Sequence, residues 1–254
     1  MGKRDIVIGG KVIPPGKNKQ INLIVAKLPS RTRIDIPVIV SRSKVEGPTL
    51  LLMAGLHGDE INGVEILRRI IDKKDHIPLK GTVICIPILN IFGFLHFSRD
   101  VPDGKDVNCS FPGTKTGSLA SRVAYKLVNE ILPHIDCAVD FHTGGASRTN
   151  YPQIRCDMAS AKNEEMANAF HAPITLDTKV IAKSLRYTAK KMKKSMLVYE
   201  GGEALRFDEY AIRQGIRGTF RLMQHLGMKE NIPNSRHNSI FINRSKWIRA
   251  RASG

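Results

Sequence analysis

Apolar residues recur along the chain in two rhythms. The first 45 residues carry short strand-like runs broken by turns: DIVIGG, KVIPPGKN, INLIVAKL and IDIPVIVSR. TLLLMAGL, GTVICIPILN and DCAVDFHT are apolar almost throughout, the pattern of strands buried on both faces. SMLVYEGG reads as a further strand. Helical spacing appears in DEINGVEILRRIIDKKD, where Ile61, Val64, Leu67, Ile70 and Ile71 share a face. Helices are also predicted over LASRVAYKLVNEIL behind a Ser118 cap, over AKNEEMANAF, and over YAIRQGIRGTFRLMQHLG up to Gly227. Residues 91–117 form a long polar stretch punctuated by Gly and Pro, a length usually reserved for function. Strands alternating with helices predict an α/β domain with helices on both faces. In such sheets, sites form just outside the carboxyl ends of strands. His57, His142 and Glu200 each fall at such an end.

Composition narrows this reading. The 254 residues suit one large domain, or one domain plus a fragment. No run approaches the ~18 apolar residues of a membrane span. The N-terminus has no apolar signal-peptide core. Cys85, Cys109, Cys137 and Cys156 form no CxxC pair, and two of the four lie in strand-like runs, so a reducing cytoplasm is expected. The net charge of +17 is spread along the chain, aromatics make up only 6%, and no nucleic-acid motif is present. Solvated faces and steering of a small anionic molecule account for that charge. Neither membrane nor nucleic acid is expected as a partner, and a homo-oligomer is left open.

His57 and Glu60 stand three apart, at a strand end and a helix start, so an imidazole and a carboxylate can face one point. A catalytic zinc takes three protein ligands and keeps one position open. In an HxxEH motif a second His follows the Glu, but Ile61 occupies that position here, so a third ligand must be distant. On its own this motif fits a helix N-terminus whose acids are favoured by the dipole better than it fits a metal site. His142 in DCAVDFHTGG repeats the pattern of a His at a strand end before a Gly turn, and its spacing suits a site assembled from two strands. Glu200 in MLVYEGGEAL can take a proton from water and pass it to a leaving amine, with Glu203 as competitor for that role. In the long loop, Arg99 could face a developing oxyanion and Asn108 a substrate carboxylate or carbonyl.

GLHGDE, PILNIFGF, the Ser98-Arg99 to Ser-Phe-Pro-Gly stretch, DFHTG and YEGGE occur in order across residues 55–203. This order resembles the succinylglutamate desuccinylase/aspartoacylase family, a relative of the zinc carboxypeptidases. The resemblance implies a three-layer α/β/α sandwich with a mixed, largely parallel sheet. It implies Zn2+ held by His57, Glu60 and His142, Glu200 as general base and proton shuttle, Arg99 as oxyanion stabiliser, and Asn108 in substrate binding. The reaction implied is hydrolysis of the amide bond of a small anionic N-acyl substrate.

Two departures stand out. The family reads Asp-Leu-Asn-Arg where this chain reads Asp106-Val107-Asn108-Cys109. A thiol cannot grip a carboxylate as a guanidinium does. Arg148 or Arg155 then holds the substrate, or the substrate lacks that carboxylate, or activity is low. A Cys109 nucleophile is disfavoured, because no histidine is evidently paired to it. Second, residues 1–240 are expected to form the catalytic domain, with 241–254 only the opening of a C-terminal β domain. Arg244 to Arg251, with Trp247, would then lie exposed. A metallocarboxypeptidase-type peptidase and a zinc-binding protein with little or no catalysis remain as alternatives.

Overall fold

A computed structural model of the chain describes residues 5–27, 30–235, 238–244, 246, 248 and 251–252. Trp247 and the other residues between these ranges lie outside the described residues. In chain order the elements begin with β1 (Ile6–Ile8), β2 (Lys11–Ile13), β3 (Asn18–Lys27), β4 (Arg33–Arg42), β5 (Thr49–Ala54), α1 (Ile61–Asp72) and β6 (Thr82–Ile86). The short α2 (Ile91–Leu95), α3 (Leu119–Glu130), β7 (Cys137–Gly144), β8 (Asn150–Cys156) and α4 (Ala161–Phe170) follow. The last elements are β9 (Ile174–Asp177), α5 (Leu185–Lys191), β10 (Ser195–Glu203), α6 (Glu209–His225) and β11 (Ile240–Ile242).

Strands β3 to β11 form one sheet in the order β11-β9-β8-β10-β7-β5-β6-β4-β3, and β1 and β2 pair as a separate hairpin. The centre, β6-β5-β7-β10, is parallel, as are β8-β9 and β9-β11. The pairings β3-β4, β4-β6 and β8-β10 are antiparallel. Residues alternate across β5. Leu50, Leu52 and Ala54 pack with Ile66, Leu67 and Ile70 of α1, Met166 and Phe170 of α4, and Ile212 and Leu222 of α6. Leu51 and Met53 face the opposite core with Val123 and Leu127 of α3 and Leu185 and Ala189 of α5. A strand that contacts core on both sides must be apolar at every position, which is why β5, β6 and β7 read as unbroken runs.

This is the mixed, largely parallel α/β/α sandwich expected from the sequence. The long stretch 91–117 is less irregular than expected. Asn90, fully buried, caps α2 by accepting the Gly93 N–H at 2.9 Å, and Asp106 likewise caps a 3-10 turn at Val107–Cys109. The strand β11 adds to the sheet edge beside β9, so the expected boundary between 240 and 241 falls within it. No helix among the described residues is long and apolar enough to cross a membrane.

Candidate metal centre and its cleft

The parallel centre of the sheet brings the strand ends together. His142 lies near the end of β7, opposite Glu200 of β10 in the ladder, and the β5-to-α1 connection, with His57 and Glu60, sits beside them. Gly58 allows that connection its path. A Cβ at this position would overlap the Gly93–Phe94 peptide of α2. Only glycine lets the two backbones approach so closely.

Glu60 occupies the position before α1, yet its side chain makes no capping bond. Both carboxylate oxygens turn inward instead. Its Oε1 lies 2.9 Å from His57 Nδ1, and its Oε2 lies 2.7 Å from His142 Nδ1 and accepts the Thr143 N–H at 3.2 Å. All three side chains are buried. A donor atom from each lies within 4.8 Å of the others, so the three form a group that could hold a metal ion. The far nitrogen of His142, Nε2, pairs with Asp140 Oδ2 at 2.8 Å. A carboxylate behind a histidine, fixing its ring with the other nitrogen turned to a common point, is the usual support of a metal ligand. The donor set therefore fits a divalent ion of the zinc type. The electrostatics agree. Burial alone would raise Glu60, but the two imidazoles hold its carboxyl well below the usual range. Burial alone would lower His142, but Asp140 and Glu60 raise it well above normal. The carboxylates of Asp140 and Glu60 thus make these buried surroundings favour a positive charge, and an ion bound there would take the place of the imidazole protons.

Arg99 reaches the same point. Its Nε and Nη2 bond Asp106 Oδ2 at 3.0 and 2.9 Å. This aims Nη1 at His57 Nδ1, 3.1 Å away, and at Glu60 Oε1, 3.5 Å away. Asp106 Oδ1 also lies 3.4 Å from His57 Nε2, so the carboxylate that braces the arginine stands beside the histidine.

The cavity above these residues measures about 300 Å³. Besides the metal group it is lined by Arg99, Asn108, Asp140, Arg148, Arg155, Arg186 and Glu200, with Ile181 at its exposed rim. Each residue expected at the site thus reaches it, but the three expected to bind substrate make contacts of their own. Asn108 gives its side-chain oxygen to the Leu185 N–H at 3.0 Å, so its amide hydrogens are the part it can offer the cavity. Arg155 points Nη1 at Glu200 Oε1, 3.1 Å away. Arg148 bends back on its own turn, with Nε donating to Gly145 O at 2.7 Å. Glu200 is 9% exposed, and burial pushes its carboxyl above the usual range against the pull of His142 and Arg155. Glu203 bonds Thr149 at the surface and is not among the cavity residues. Cys109 is exposed, outside the cavity lining, and its thiol is raised by burial and by Asp106.

Four residues escaped the sequence reading. Asp140 was detectable as the one charge inside an apolar strand, two before His142. Asp106 sat unremarked within the Arg99–Asn108 motif. Neither Asn150, which contacts Glu200, nor Arg186, held by Thr178 Oγ1 at 2.8 Å, carries a local signal.

Comparison with known proteins gives a consistent result. Residues 46–226 match the family model described as the succinylglutamate desuccinylase/aspartoacylase catalytic domain. The chain is 30% identical over 205 residues to an N-alpha-acetyl-L-2,4-diaminobutyric acid deacetylase from Halomonas elongata, covering 77% of this chain and 59% of that one. The chain therefore spans under two thirds of that relative's length. A solved succinylglutamate desuccinylase/aspartoacylase from Rhodobacter sphaeroides superposes with a TM-score of 0.79 at 25% identity, over 88% of this chain and 71% of that one. The product-bound ectoine utilisation protein EutE (DoeB) from Ruegeria pomeroyi shares the fold, with a TM-score of 0.80 at 23% identity over 96% and 77%.

Proposed function

The chain belongs to the succinylglutamate desuccinylase/aspartoacylase family, and from that premise we propose that it is a zinc-dependent hydrolase cleaving the amide bond of a small N-acyl amino acid. The observation that carries the reading is the buried convergence of His57, Glu60 and His142 on one point beneath a cavity that Glu200 also lines. These three would hold the metal. When bound there, zinc supplies Lewis acidity that polarises an acyl carbonyl and brings the pKa of water to roughly 7.

The remaining chemistry belongs to the side chains. Glu200 accepts a proton from the attacking water and returns it to the departing amine. Its burial favours that exchange, because a carboxyl pKa raised by desolvation makes the carboxylate a stronger base toward the water proton. Arg99, braced by Asp106, presents Nη1 to the charge that develops on the acyl oxygen. Asn108 and Arg148 face the substrate from the cavity wall, where the guanidinium supplies positive charge lost with the family arginine at Cys109. The deacetylase activity named for the Halomonas elongata relative makes N-acetyl amino acids the natural starting substrates.

A panel of N-acetyl and N-succinyl amino acids, with short peptides alongside, tests the proposal on zinc-loaded protein. Release of free amino acid from an N-acyl substrate is expected. Cleavage of peptides alone would favour a carboxypeptidase-type activity, and no cleavage with zinc bound would favour a non-catalytic metal protein.

A further inference from the structure

Glu200 is gripped from one neighbouring strand at both of its oxygens. Arg155 Nη1 lies 3.1 Å from Oε1, and Asn150 Nδ2 donates to Oε2 at 2.7 Å. Both side chains lie on β8, five residues apart. In a regular strand such residues face opposite sides of the sheet. The β8-β10 register removes that obstacle. Glu200 pairs with Gln153 and Gly202 with Asn150, so three residue steps on β8 oppose two on β10. The extra residue is a bulge, and bulges re-aim side chains. Here it rotates Asn150 onto the side of the sheet that Arg155 already faces.

We propose that Arg155 and Asn150 are positioning residues that clamp the Glu200 carboxylate, an ion pair at one oxygen and a hydrogen bond at the other, and that the β8 bulge makes the clamp possible. The inference rests on the role given to Glu200 above. A carboxylate left to itself rotates broadly about its last torsion. A group that must take a proton at one step and return it at the next gains from a fixed plane. With a guanidinium beside one oxygen and an amide hydrogen bond on the other, that plane is set while lone pairs remain to receive a proton. On this reading the guanidinium of Arg155 acts through Glu200 and does not serve as the substrate's carboxylate grip.

A mutant cycle tests the clamp. Arg155→Ala and Asn150→Ala are each made alone and in a Glu200→Gln background. The kinetics of N-alpha-acetyl-L-2,4-diaminobutyrate hydrolysis are measured for zinc-loaded proteins, and Tm for the metal-free ones. Each single variant is expected to lose ~10–100-fold in kcat with KM changed less than about threefold. Neither is expected to lower the residual rate of Glu200→Gln further. The Tm shifts of Arg155→Ala and Glu200→Gln are expected to be non-additive, as for groups in contact. Arg155→Lys should recover part of kcat, and it covers the case in which Arg155→Ala does not fold. A raised KM that persists in the Glu200→Gln background would overturn the clamp in favour of direct substrate binding, and additive Tm shifts would overturn it outright. Non-additive Tm shifts in a protein that hydrolyses no N-acyl substrate would sustain the clamp and refute the deacylase reading.

Discussion

At the scale of single residues, the centre depends on one carboxylate facing inward. Glu60 stands at the capping position of α1, but its oxygens meet two imidazoles and a backbone N–H of β7 instead. Gly58 controls that choice by letting the His57–Glu60 turn press against α2. Gly58→Ala would drive a methyl group into the Gly93–Phe94 peptide, at a cost of ~1–3 kcal/mol or more for overpacking. We predict that this variant folds less stably and binds zinc more weakly, as measured by thermal unfolding and by metal content after dialysis. Glu200 gives a second prediction. Glu200→Gln keeps the volume and the metal group but removes the base, so kcat should fall by ~10²–10⁴ while zinc content stays unchanged. The base must be ionised to act, and burial raises its pKa. Activity should therefore fail, as pH is lowered, at a value above the ordinary glutamate pKa of about 4.3. A kcat/KM profile that stays flat down to that ordinary value would contradict the role.

At the scale of elements, α1 carries His57 and Glu60 at its N-terminal end and is anchored by its outer face. Glu65 receives Arg68 Nε at 2.6 Å and Arg69 Nε at 2.7 Å, and Arg69 continues to Glu209 of α6 at 2.8 Å. These arginines, Arg68 foremost, hold the Glu65 carboxyl at about 2 against a smaller opposing effect of burial. A depressed folded-state pKa contributes stability that is present above the unfolded value and is lost as pH falls through the folded one. Glu65→Gln should thus cost about 0.5–1 kcal/mol near neutral pH, the range for partly exposed pairs. Urea unfolding should show that difference shrinking from about pH 5 down to about pH 2. The elements that the sequence revealed are those with uniform surroundings. β5, β6 and β7 have core on both faces, and α1, α3 and α6 have one apolar stripe each. β8 was hidden because Pro152 breaks its pattern and Asn150 and Arg155 line the cleft. β9, α5 and β11 are short, and half or more of their residues are only partly buried or exposed, so no period develops. The same logic holds for the site. His57, His142 and Glu200 were legible because polar residues end apolar strands, whereas the contacts of Asp106 and Asn150 depend on a loop path and on a bulge.

At the scale of the whole molecule, the sheet positions the chemistry and the charge surrounds it. Three parallel strands deliver His57, His142 and Glu200 to one edge, and the cavity there is lined by four arginines. With a net charge of +17, an anionic substrate should be drawn in by long-range attraction, which salt screens. The kcat/KM for an anionic N-acyl amino acid should accordingly fall with ionic strength while kcat changes little, and an uncharged N-acyl amine should show neither trend. We propose a single catalytic centre in which His57, Glu60 and His142 would hold one zinc ion that the hydrolysis requires. Zinc titrated into metal-free protein, with bound metal and N-acetyl amino acid turnover read on the same samples, tests it most directly. Turnover should rise in step with bound zinc and level off near about one equivalent, the stoichiometry of a single catalytic centre, and His142→Ala should show neither binding nor turnover. Full turnover by the metal-free protein, or by His142→Ala, would contradict the account.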